Sequence, residues 1–207
     1  MLPAHGLAEA IDDGVDGLKW LREQGFTSPN IVVAGDSAGG YLAFMTTLAV
    51  IERGDTAPAG AATFSPLTDL DPARKLAHRN ARRCSMFTGS ALSMFSRYLG
   101  QRQRRLSTRR TVRAPTAPVD ADLSRMPPVA IHASADELLL PDAELMAQRL
   151  RQAGVPCDLH LWAGQVHDFP LAADVLPEGR RAIEYVGKFV SDVTSAREHT
   201  AYPLAAS

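Results

Sequence analysis

An open, mostly parallel α/β sheet covered by helices on both faces is the fold class this 207-residue sequence predicts. Short, continuously apolar runs rich in β-branched residues alternate along the chain with amphipathic segments of helical period, the pattern of strands joined by crossover helices. Glycine or proline punctuates most junctions. With 45% hydrophobic and 22% charged residues, the composition is that of one globular core rather than a disordered or fibrous chain.

The elements follow in order. Over residues 8–24 apolar side chains recur at helical spacing (Leu7, Ile11, Val15, Leu18, Leu21), with Asp12, Asp13, Asp16 and Glu23 on the other face, and Gly25 ends the helix. Residues 31–34 are a short apolar run suited to a strand buried on both faces. Residues 35–40 turn the chain into a helix over about 41–53, stopped by Gly54. Residues 59–64 form a second buried strand and 129–133 a third, entered through Pro127 and Pro128. A helix starts at Pro141 and runs to Gln152, with Leu145, Met146 and Leu150 on one face. Residues 157–162 are a fourth strand, and a last helix begins near Pro177 with Ile183, Val186, Phe189, Val190 and Val193 inward.

The whole chain, 1–207, is expected to form one domain, with two stretches that break the alternation. Residues 66–100 mix basic and apolar side chains and suggest a small helical excursion over the sheet. Residues 101–120 are expected to be an irregular loop crowded with Arg102, Arg104, Arg105, Arg109, Arg110 and Arg113. No aromatic residue interleaves these arginines, so the run reads as a solvated loop rather than a nucleic-acid patch.

A net charge of -1 supplies no field to gather nucleic acid or an anionic membrane. Cys84 and Cys157 are too few for a disulfide framework and lack metal-ligand spacing, so they read as reduced thiols of a cytoplasmic protein. No stretch approaches the ~18 apolar residues of a membrane span, and the N-terminal residues lack the pattern of a secretory signal.

The chemistry centres on Gly35-Asp36-Ser37-Ala38-Gly39, a Gly-x-Ser-x-Gly run set between a buried strand and an amphipathic helix. Such a turn projects Ser37 Oγ from the sheet end, beside a helix N-terminus whose free N–H groups favour negative charge. The amide of Ala38, directly after the serine, is placed to serve an oxyanion hole. A serine hydroxyl needs a base, and the base needs a carboxylate to orient it. Of the six histidines, His5, His78, His132, His160, His167 and His199, His132 and His160 lie within predicted strands. His167 instead follows the fourth strand in a loop, at the edge where open α/β sheets assemble their sites. Asp136, directly after the third strand, is the matching acid, with Glu137 and Asp142 as nearby alternatives. The order Ser37, Asp136, His167 is the serine, acid, histidine order of α/β-hydrolases.

With these residues in view, the chain resembles the hormone-sensitive-lipase branch of the α/β-hydrolases. Gly35-Asp36-Ser37-Ala38-Gly39-Gly40 is similar to that branch's elbow. Leu2-Pro3-Ala4-His5 resembles its Leu-Ala-Pro-Glu-His segment, and residues 123–129 resemble its entry to the acid-bearing strand. His167-Asp168-Phe169 resembles its His-Gly-Phe triplet, with aspartate for glycine. The resemblance implies the C-terminal two-thirds of that fold and a serine carboxylesterase or lipase-type hydrolase acting on small-molecule esters without metal or organic cofactor. It also implies departures. The family's His-Gly-Gly-Gly oxyanion segment is not in this sequence, the family's first strands are missing, and Met1 looks like an internal methionine. The strand at 31–34 would then present an exposed apolar edge, open to a homo-oligomer. Two rivals to the esterase follow: a truncated fragment of impaired activity, and a non-catalytic module that pairs through the exposed sheet edge.

Overall fold

The computed structural model describes residues 6–107 and 117–198. Leu2, Pro3, Ala4, His5, Arg109, Arg110, Arg113 and His199 lie outside them. Four parallel strands, β1 (Val32–Asp36), β2 (Gly60–Phe64), β3 (Val129–Ser134) and β4 (Cys157–Trp162), form one sheet in the order β1-β2-β3-β4. Parallel neighbours require crossovers, and helices supply them. These are α2 (Ala38–Glu52) after β1, α3 (Ala73–Ala77) and α4 (Gly89–Ser107) after β2, and α5 (Leu140–Gln152) after β3. Helices α1 (Leu7–Glu23) and α6 (Pro177–Glu198) precede β1 and follow β4.

Side-chain alternation along β3 assigns the layers. Val129, Ile131 and Ala133 join Phe44, Leu48 and Ile51 of α2 and Met146, Ala147 and Leu150 of α5 in the main core. His132 points the other way, toward Tyr185 of α6. A second cluster packs Val15 and Leu18 of α1 on Val50 and Ile31.

Three expectations need correction. The strand at 32–36 is not buried on both faces: β1 is an edge of the sheet and Ala34 and Asp36 are exposed. Ile183 does not point inward but is 47% exposed, while Ala182 takes the buried position on α6. The backbone is also not an irregular loop from residue 101. Helix α4 continues to Ser107 and carries residues 102, 104 and 105. Arginine has a high helix propensity, so a basic run can extend an amphipathic helix that packing has already nucleated.

A buried ion pair ties the segment after β2 to α5. Lys75 Nζ lies 2.8 Å from Asp142 Oδ1, both side chains being essentially excluded from solvent. Lys75 also donates to the carbonyls of Asp69 and Asp71, and Asp142 Oδ2 accepts from the amides of Thr68 and Asp69. Asp142, an alternative for the acid, is thereby committed to structure.

Candidate active site

The serine sits at φ 50°, ψ -114°, a conformation an L-residue holds only where the surroundings enforce it. Its N–H donates to Phe64 O of the neighbouring strand, and its own carbonyl accepts from Gly40, Tyr41 and Leu67. Two close approaches leave no room for side chains. A Cβ at Gly35 would lie 2.3 Å from Gly39 O, and one at Gly40 2.6 Å from Pro66 Cβ. Gly39 meets nothing nearer than 3.7 Å, so Gly35 and Gly40 are the glycines the turn's packing requires. Ala38 opens α2, where its N–H has no carbonyl of the preceding helical turn to bond, and it lines the same cavity as Ser37.

That cavity measures about 310 Å³ and is walled by Leu67, Phe87, Leu92, Phe95, Leu138 and Leu139 beside Ser37 and Ala38. Its lining is apolar apart from the serine. The Phe87 ring meets the imidazole of His167 edge-on, 4.8 Å between centroids, so a ring that walls the serine's cavity also meets the histidine.

The acid at the imidazole is Glu137, not the expected Asp136. Glu137 Oε2 lies 2.5 Å from His167 Nδ1, and the two side chains are 0% and 2% exposed. Glu137 folds back on its own turn, with Oε1 accepting from Ser134 N. Asp136 points across to the β4 side, where Oδ2 accepts from Gly164 N at 2.8 Å. The reason is reach and direction: the turn after β3 aims position 137 into the core, and the longer glutamate side chain spans the gap. Asp136 instead pins the loop that carries His167, helped by Ser134 Oγ, which donates to Gln165 O. Asn80, which the sequence did not single out, donates from Nδ2 to the carbonyls of Ala135 and Glu137 and so anchors the acid turn to the excursion after β2.

A second carboxylate reaches the ring. Asp168 Oδ2 is 3.0 Å from His167 Nε2, an ion-pair distance, although the alignment is not that of a hydrogen bond and Nε2 has no hydrogen-bond partner among the described residues. Burial pulls the pKa of His167 down, but the carboxylates of Asp168 and Glu137 outweigh it and push the value up to about 9. His132 contrasts with it. It is packed against His160 and Trp162, and burial reinforced by the His160 charge lowers its pKa to about 3. Its Nδ1 accepts from Trp162 Nε1, the pattern of a core histidine. Among the described residues no group of three or more His, Cys, Asp or Glu is arranged to hold a metal ion, and no helix is long and apolar enough to cross a membrane.

A parallel sheet that ends in a strand-serine-helix elbow, with a buried histidine-carboxylate pair at the same edge, defines the α/β-hydrolase class. Residues 1–171 match the family model described as the alpha/beta hydrolase fold, and the chain belongs to that family, in its hormone-sensitive-lipase-like branch. It is 37% identical over 94% of its length to Esterase LipU of Mycobacterium tuberculosis, covering 65% of that protein. To Carboxylesterase/phospholipase LipF of the same organism it is 36% identical over 94% of its length, covering 52%. A crystal structure of a hormone-sensitive lipase from a metagenome library superposes with a TM-score of 0.83 at 29% identity, over 94% of this chain and 63% of that one. The chain thus spans between half and two-thirds of the length of these relatives.

Proposed function

We propose that this chain hydrolyses carboxylic esters through an acyl-enzyme intermediate formed on Ser37. His167 Nε2 takes the hydroxyl proton as Oγ bonds to the ester carbonyl carbon and the carbonyl pair moves onto oxygen. The Ala38 amide donates to that oxygen, and the α2 N-terminus favours its charge. His167 then returns the proton to the leaving alcohol, and water, activated the same way, releases the acid. Glu137 orients the ring through Nδ1 and stabilises its cation, the role expected earlier of Asp136.

The observation that carries this reading is the strained serine opening into an apolar cavity whose Phe87 wall also touches a histidine held by a buried carboxylate. The lining favours an ester with an apolar acyl or alcohol group, and the esterase and carboxylesterase names of the relatives support ester hydrolysis. The test is turnover of p-nitrophenyl butyrate by the purified chain. Activity that vanishes in Ser37→Ala supports the reading; equal activity in the variant overturns it.

A further inference from the structure

We propose that Asp168 governs when His167 can act as a base, its carboxylate competing with the Ser37 hydroxyl for Nε2 by holding a proton there. The inference deepens the esterase reading and rests on it. Asp168 occupies a left-handed backbone conformation, φ 53° and ψ 33°, which aspartate tolerates better than most residues and glycine tolerates freely. The turn is fixed on both sides, since Asp168 N donates to Ser65 Oγ and Asp168 O accepts from Leu171 N. The carboxylate is 11% exposed, Oδ2 faces Nε2, and Oδ1 is buried without a hydrogen-bond partner among the described residues.

The imidazole is therefore held between two carboxylates, Glu137 at Nδ1 and Asp168 at Nε2. A neutral imidazole has one N–H and can serve one of them; an imidazolium serves both. The arrangement thus stabilises the charged ring, in accord with the elevated pKa of His167. A charged ring has no lone pair for the serine's proton. Hydroxide must first remove the Nε2 proton, giving water and a neutral ring that keeps Nδ1–H on Glu137. The freed Nε2 lone pair then repels Asp168 and is open to Ser37.

Among the described residues the charged groups against the ring are Glu137, from the connection between β3 and α5, and Asp168, from its own turn. Phe87, from the segment before α4, contributes only an aromatic edge. Asp36, at the end of β1, shares with Asp168 a groove lined also by Leu171 and Ile183, into which a repelled carboxylate can turn.

The test is an NMR titration of the His167 ring, identified by its loss in His167→Gln, in the unaltered chain, Asp168→Asn and Asp168→Gly. Both replacements suit the left-handed turn and keep its backbone donor. The unaltered ring is expected to titrate near 9, and both variants about one pH unit or more lower. In parallel, fluorophosphonate labelling of Ser37 is followed against pH, its acid limb expected to move down with the ring. A midpoint near 6.5 in the unaltered chain, or one unmoved in both variants while Ser37 still labels, overturns the role of Asp168 alone. A shifted midpoint with no labelling of Ser37 in any chain overturns the esterase reading and the competition with it.

Discussion

Glu137 Oε2 and His167 Nδ1 lie 2.5 Å apart with both side chains almost wholly buried, while the carboxylate one residue earlier in the chain turns to a backbone amide. A carboxylate that shares a buried proton with an imidazole fixes the ring's tautomer and direction, whereas one that caps a loop only fixes the loop. The two neighbouring acids should therefore separate cleanly in experiment.

Replacing Glu137 by Gln is expected to lower kcat/KM for an activated ester by about three to four orders of magnitude, as loss of the orienting carboxylate does in serine hydrolases. Asp136→Asn keeps an acceptor for Gly164 N and should cost less than about tenfold. Parallel kinetics on the two variants check this; the opposite ranking would restore Asp136 as the acid.

With Ser37 as the proposed nucleophile, the apolar cavity beside it is expected to set a chain-length preference. Burying one more methylene is worth about 0.8 kcal/mol, or roughly fourfold in kcat/KM, until the space is filled. Ala91 lines that space from α4. Ala91→Trp is expected to leave acetate esters nearly unaffected and to erase the gain on butyrate and hexanoate, measured across a p-nitrophenyl ester series.

Breaking the Lys75 and Asp142 pair should be costly. Lys75→Met leaves a carboxylate buried without its cation, a change worth about 3–5 kcal/mol in comparable sites. Denaturant unfolding should show a loss of unfolding free energy of that size, because the pair ties the segment after β2 to α5.

His132 should make the fold acid-sensitive. Its pKa is about 3 in the fold against 6.5 for an unperturbed ring, so the unfolded chain takes up the proton first as pH falls. Stability contributed by the neutral ring is complete above about 6.5 and is lost between there and about 3, by a few kcal/mol in all. His132→Asn keeps an acceptor for Trp162 Nε1 and removes the titration. Its melting temperature should fall less steeply than that of the unaltered chain between pH 6.5 and 4.

Much of this was legible along the chain. The strand at 157–162 and the helix ending at Gln152 match the sequence expectations, because their periodicity and their Gly or Pro boundaries are local. Burial was less legible. Ala34 belongs to an apolar run yet is exposed, and Ile183 fits the helical stripe yet faces a groove, because both depend on which neighbours the sheet brings up.

The sequence by itself determined the serine elbow, since Gly35 is demanded by the approach of Gly39, two residues past Ser37, and it determined that a histidine loop follows the last strand. Only the tertiary structure decided which of two adjacent acids meets that histidine, that Asp168 crowds its other nitrogen, and that the Phe87 ring walling the serine's cavity meets that histidine. The physical reason is separation along the chain. A turn's backbone is set by nearby sterics, but the direction of a carboxylate toward a ring 30 residues away is fixed by how two strands and their loops pack.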